Sequence, residues 1–136
     1  MKKVLGLIGF CIVVMVGMNL FAQNRPHDQI MKDVNATFTA LKKNIDSNTA
    51  AEAQQDALKL SGLFKEVEKF WMPLRSKDAL EAAKSVQTVA DQIASAATAN
   101  DLKRAGTLYG EIGKSCKACH DRHRAQMPDK TFKIRP

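Results

Sequence analysis

Apolar side chains recur every three or four residues through four successive stretches of this chain. This spacing puts each set on one side of an α-helix, so that each helix has a single face to bury. The four sets are Met31, Val34, Phe38, Leu41 and Ile45; Ala53, Ala57, Leu60, Phe64, Val67 and Trp71; Ala83, Val86, Ala90, Ile93 and Ala97; and Leu102, Ala105, Tyr109, Ile112, Cys116 and Cys119. The pattern predicts an all-α protein, an antiparallel up-down-up-down four-helix bundle.

Short breaks separate the four stretches. Pro26 is placed to open the first helix, and Pro73 follows the second. Asp78 with Glu81 three residues later has the spacing of a capping box for the third helix. The chain contains no Asn-Gly, Asp-Gly or Gly-Gly pair, which argues against a β-sandwich or barrel. Because the breaks are short, helices adjacent in the sequence should run antiparallel.

The first 22 residues have the pattern of an export signal. Lys2 and Lys3 precede an uncharged apolar run from Val4 to Ala22, as in secretory signals. Cleavage after Ala22 would leave residues 23–136 as the exported protein. The run is also long enough to cross a bilayer, so a retained membrane anchor is the alternative. Under both interpretations the rest of the chain lies outside the cytoplasm, and we expect a periplasmic location.

One short motif near the C-terminus carries recognisable chemistry. Cys116-Lys117-Ala118-Cys119-His120 has the C-x-x-C-H spacing by which c-type haem is attached. On a helix, residues at i, i+3 and i+4 share one face, so both thiols and the imidazole can reach one flat macrocycle. The motif predicts one covalently bound haem c, with thioether bonds from Cys116 and Cys119. His120 is then the proximal ligand of the iron.

Two other uses of this motif compete with haem attachment. A zinc site could draw on Cys116, Cys119, His120 and His123, but two turns of one helix are a poor frame for a closed tetrahedron. A redox dithiol is expected at a helix N-terminus after a strand, whereas this motif lies late in a helix. We expect His123 to face solvent.

The second axial ligand decides between electron transfer and small-molecule binding. In an up-and-down bundle the start of the first helix lies beside the end of the fourth, and Met31 and His120 lie at about the same depth from that end. Met31, on the buried stripe of its helix, is therefore the predicted distal ligand. A methionine at such a position is also a common packing residue. His27, one turn earlier, and an open distal site are the alternatives.

Three glycines, Gly106, Gly110 and Gly113, interrupt the last helix. Each costs about 1 kcal/mol relative to alanine in a helix interior. We expect Gly113, one turn before Cys116, to allow a close approach of haem or of a neighbouring helix. Tolerance of a small residue explains the other two equally well.

At these positions the sequence resembles the cytochrome c-prime family. The resemblance is carried by the run from Gly113 to Asp121, by Arg124, and by Ile30-Met31-Lys32 at the place of the family's distal residue. It implies a single-haem four-helix bundle and a homodimer formed through the first two helices. Members with a distal methionine are similar to low-spin, six-coordinate electron carriers. Members with a non-ligating distal residue are five-coordinate and bind nitric oxide or carbon monoxide.

The predicted function is that of a periplasmic single-electron carrier and not of an enzyme, because no set of residues suggests substrate turnover. The net charge is +7, and seven basic residues follow residue 113, some of them in a basic tail at residues 128–136. A solvated helix face is the ordinary explanation for such charges. A positive rim that attracts acidic redox partners is the functional one. Export makes nucleic acid an unlikely partner.

Overall fold

The structure, a computed structural model, describes residues 25–136, so the predicted signal at residues 1–22 lies outside the described part. Its elements are α1 (His27–Asp46), α2 (Ala50–Trp71), α3 (Lys77–Thr98), α4 (Leu102–His123), β1 (Arg124–Gln126) and β2 (Phe132–Ile134). Each helix packs along its sequence neighbours, and α1 also contacts α4. The predicted four-helix bundle is confirmed. Within residues 25–136 no helix is both long enough and apolar enough to span a membrane.

The core is built from the predicted apolar stripes. Its largest fully buried side chains are Leu41, Leu60, Val86, Ile93 and Ile112, and the full burial of such a side chain stabilises the fold by about 1.5–3 kcal/mol. Helix α3 contributes mostly small residues, since six of its eight buried residues are alanines. Small side chains let α3 lie close to its two neighbours, α2 and α4.

The helix ends agree with the sequence except at α3. Helix α1 begins directly after Pro26, whose carbonyl accepts the backbone N–H of Ile30 at 3.2 Å. The predicted capping box of Asp78 and Glu81 is wrong, because α3 begins at Lys77 and Asp78 lies inside its first turn. The Asp78 carboxylate is used for long-range contacts with the end of α4.

The C-terminal residues form a β-hairpin that the local sequence signals did not predict. Strands β1 and β2 are antiparallel, with Arg124 opposite Ile134. The turn between them places Lys130 at φ 66°, a left-handed conformation that glycine adopts more readily than other residues. The predicted basic tail is therefore ordered, because it packs back on the end of α4.

Candidate haem-binding site

A cavity of about 590 Å³ lies among the helices, at the end of the bundle where α1 starts and α4 ends. Its lining is mostly apolar, and all four helices and the hairpin contribute to it. Lining residues include Met31, Val34 and Phe38 from α1; Phe64, Val67 and Trp71 from α2; Ala79, Ala83 and Val86 from α3; and Gly113, Cys116, Cys119 and His120 from α4. Apolar cavities of roughly 300–1,000 Å³ with a few placed polar groups are typical cofactor sites.

The three chemical residues of the C-x-x-C-H motif share the α4 wall of this cavity. Cys116, Cys119 and His120 all line it and are all half-buried. Helix α4 continues through the motif to His123, so the three side chains project from regular helix rather than from a loop. The structure therefore brings together the residues that the i, i+3, i+4 spacing predicted.

Met31 lies on the α1 wall of the same cavity. It is half-buried, whereas its neighbour Ile30 is only 2% exposed and makes the core contacts at this level. Met31 is thus at the edge of the predicted stripe, where it packs against the core but is only partly buried. Met31 therefore contacts both the edge of the core and the cavity.

His27, one turn before Met31, also lines the cavity. Its ring packs against Phe70, with 4.3 Å between centroids, and against Trp71 at 6.0 Å. Burial, and next the nearby His120, lower the pKa of His27 below its usual value, which favours a neutral ring at neutral pH. Its Nε2 atom is buried and has no hydrogen-bond partner among the described residues. Such an atom is normally satisfied by some partner.

The electrostatic surroundings of the two thiols do not suit a redox dithiol. Burial, followed by the neighbouring Cys119, raises the pKa of Cys116 to about 11. Burial and then Asp78 raise the pKa of Cys119 as well. A reactive dithiol depends on a lowered thiol pKa, and both cysteines here are held in the protonated form at neutral pH.

His123 does not face solvent, contrary to the prediction. It is 8% exposed, and its ring lies 4.8 Å from that of Trp71 between centroids. Its Nδ1 is 2.7 Å from the carbonyl oxygen of Arg135 and its Nε2 is 2.9 Å from the Asp78 carboxylate. These two contacts hold the ring between the end of the hairpin and the first turn of α3. Position 123 continues the stripe of α4, four residues after Cys119, so helical periodicity could have indicated this burial although histidine is polar.

These contacts also bear on the zinc alternative. Both ring nitrogens of His123 already have hydrogen-bond partners, so binding a metal would require one of these contacts to break. Across residues 25–136, no three His, Cys, Asp or Glu side chains are grouped as metal ligands. The zinc interpretation therefore has no preformed site.

The residues present fit a c-type haem. The cavity offers mostly apolar walls to a flat macrocycle, together with two thiols, an imidazole and a thioether. Imidazole and thioether are common axial ligands of haem iron in electron carriers. The unpartnered Nε2 of His27 adds a buried polar atom that a bound group with a polar edge could satisfy.

The sequence matches the family described as Cytochrome C' over residues 23–124. The match includes all four helices and the C-x-x-C-H motif. The chain therefore belongs to the cytochrome c′ family, whose members carry one covalently attached haem c. Comparisons with curated proteins and with solved structures gave no match.

Sequence reasoning missed the contribution of the hairpin to the cavity. Phe132, Lys133 and Ile134, the three residues of β2, all line it. The only local hint is the apolar-polar-apolar alternation of these residues, which is a weak strand signal at this length.

Proposed function

We propose that this protein is an exported single-electron carrier whose haem iron is held by His120 and Met31. Cys116 and Cys119 would form the two thioether bonds. The observation that carries the proposal is that Met31 and the motif residues line one apolar cavity from two different helices. When bound, the haem supplies a one-electron couple between ferric and ferrous iron.

The position of Met31 favours ligation over packing. Ile30 fills the core at this level of α1, so the Met31 thioether is available to the cavity. A thioether is neutral and need not lose a proton to bind iron. His27 is the competing ligand, but its ring packs against Phe70 and it is the first residue of α1, one turn before Met31. The arrangement supports Met31 as the distal ligand.

The remaining cavity residues have a passive role in this proposal. Phe64, Val67 and Trp71 are buried apolar side chains that line the cavity, and they would keep water from a haem bound there. Burial and a methionine ligand both raise the reduction potential of a haem iron. Electron transfer requires no acid, base or nucleophile, so we propose a carrier and not an enzyme.

The proposal also covers location and partner. Export would depend on residues 1–22, with the periplasm as the destination and membrane anchoring as the alternative. The partner would be a redox protein with an acidic face. Support for that partner comes from exposed basic residues of α4 and the residue after it, Lys114, Lys117 and Arg124. Exposed charges of one sign steer an oppositely charged partner most effectively at low ionic strength.

The optical spectrum of the exported protein tests the iron ligation. We expect a low-spin ferric spectrum with the near-infrared sulfur-to-iron band, and we expect Met31→Ala to lose that band. Met72→Ala is the matched control, because Met72 is 54% exposed in the loop after α2 and does not line the cavity. A wild-type protein that is high-spin and binds carbon monoxide readily would contradict the proposal and favour a five-coordinate gas-binding protein.

A further inference from the structure

The hairpin formed by β1 and β2 is part of the cavity wall, although nearly all of it lies outside the family match. That match ends at residue 124. Strand β2 lies beyond it, and Phe132, Lys133 and Ile134 line the cavity. Membership of the family therefore assigns no role to these residues.

Hydrogen bonds fasten the hairpin to two helices. The backbone N–H of Arg135 donates to the His123 carbonyl at 2.8 Å, and the Arg135 guanidinium donates to the Asp121 carbonyl at 3.0 Å. The His123 ring contacts the Arg135 carbonyl on one side and Asp78, in the first turn of α3, on the other. The end of β2 is thus tied to α4 directly and to α3 through His123. These contacts hold β2 beside the cavity.

Two apolar side chains of β2 are only partly covered by the protein. Phe132 is 50% exposed and Ile134 is 37% exposed, yet both line the cavity. Apolar surface beside an apolar cavity is favourably covered when an apolar ligand fills that cavity. The family's covalently attached haem c is such a ligand.

The basic side chains that line the cavity differ in the groups that they contact. Lys32 lies 3.7 Å from the Asp28 carboxylate. The Arg124 guanidinium lies over the Phe132 ring, 3.9 Å from its centroid. Lys133 forms no ion pair within 4.0 Å in the part of the chain that the structure describes. A haem brings two carboxylates, and a carboxylate at an apolar site is stabilised by a cationic donor.

We propose that the hairpin is a haem-contacting part of the site, in which Phe132 and Ile134 cover the macrocycle and Lys133 pairs with a haem carboxylate. The proposal rests on haem attachment at Cys116 and Cys119 but not on Met31 as the distal ligand. Lys133 is a positioning residue that acts on the iron through the carboxylate. Its positive charge disfavours the ferric state, so removing it should lower the reduction potential.

A pair of charge-neutralising variants of the holoprotein tests the role of Lys133. Lys133→Gln should lower the reduction potential at both low and high salt. Lys130→Gln is the matched control, because it removes the same charge from the exposed turn of the same hairpin and Lys130 does not line the cavity. Its effect should be smaller and should disappear at high salt, as for a solvent-screened charge. Equal shifts in the two variants, or a Lys133→Gln effect that vanishes at high salt, would overturn the pairing.

Hydrogen exchange of the holoprotein tests the apolar cover. The backbone N–H groups of Met127 and Arg135 are bonded to Thr131 and His123, and they should exchange slowly in the wild type. Phe132→Ala should speed their exchange and shift the main haem absorption band. Leu58→Ala, at a similarly exposed residue on α2 away from the cavity, should change neither. Unprotected hairpin amides in the wild type, or an unchanged haem spectrum in Phe132→Ala, would overturn the cover.

The near-infrared spectrum of the same samples distinguishes failure of the hairpin proposal from failure of the proposal that Met31 is an iron ligand. A wild-type protein without the sulfur-to-iron band would remove Met31 as the ligand, while the comparison of Lys133→Gln with Lys130→Gln would still decide the role of the hairpin.

Discussion

Substitution of Gly110 and of Gly113 by alanine distinguishes two effects. One is the gain in stability of helix α4, and the other is the loss of space for the bound haem. The two glycines lie three residues apart in the same helix. A Cβ atom built on Gly110 meets nothing within 4 Å, and one built on Gly113 lies 3.9 Å from Phe38 Cζ, an ordinary contact. Only Gly113 of the two lines the cavity. No neighbouring atom of residues 25–136 therefore requires glycine at either position.

Helix propensity sets the size of the expected effect. Glycine to alanine in a helix interior stabilises by about 1 kcal/mol, which is roughly a fivefold change in the folding equilibrium. For a domain of this size that corresponds to a Tm increase of about 3–6 °C. Gly110→Ala should show this full gain. Gly113→Ala should lose part or all of it in the holoprotein, because its new methyl group takes space from the haem.

Denaturant unfolding of the holoprotein, followed by circular dichroism, measures both free energies. Gly106→Ala is a second control, because its Cβ would lie 3.7 Å from Ile45 and Gly106 does not line the cavity. The visible spectrum should shift in Gly113→Ala and stay constant in the two controls. If Gly113→Ala stabilised the protein as much as Gly110→Ala and left the spectrum unchanged, the expected close approach of haem at Gly113 would be wrong.

Two further predictions concern stability. Thr37 is 2% exposed and its hydroxyl has no partner among the described residues, so Thr37→Val should raise the free energy of unfolding by about 1–2 kcal/mol. Thr39→Val, at an exposed site, should change it by less than about 0.5 kcal/mol; a loss of stability in Thr37→Val would contradict the reasoning. Hydrogen bonds, first of all that from His123, hold the pKa of Asp78 well below its usual range. The ionised Asp78 carboxylate therefore stabilises the native state at pH values above the pKa of an unfolded aspartate, about 4. This stability is lost as the pH falls from there through the lower pKa of the native state. The urea concentration at the midpoint of unfolding should therefore decrease as the pH is lowered below about 4. Asp78→Asn should flatten this drop, and an unchanged profile would show that Asp78 is not responsible.

Neighbouring residues of α1 contact different parts of the protein at the site. Ile30 and Val34 are buried in the core, whereas His27 and Met31 are half-buried at the cavity. A helix can therefore be fixed by one row of side chains and present another row to a ligand. The residues that face the cavity could therefore be substituted without loss of the bundle.

Several features could be predicted from the sequence because their causes are local. The recurrence of apolar residues every three or four positions specified four helices, and short breaks between them specified their antiparallel order. The spacing of Cys116, Cys119 and His120 specified one helical face for haem attachment. The family match confirms the predicted cofactor, one covalently attached haem c. Each of these features depends on residues within a few turns of one another.

The remaining features depend on contacts between residues far apart in the chain. His123 is buried because Asp78, 45 positions earlier, and Arg135, 12 positions later, approach its two ring nitrogens. The same contacts help to hold the strand of Phe132 to Ile134 beside the cavity. Likewise, the offset between Ile30 and Met31 follows from how α1 is rotated against its neighbours. The sequence alone thus determined the helices and the haem attachment motif, whereas packing between distant segments decided which side chains close the cavity.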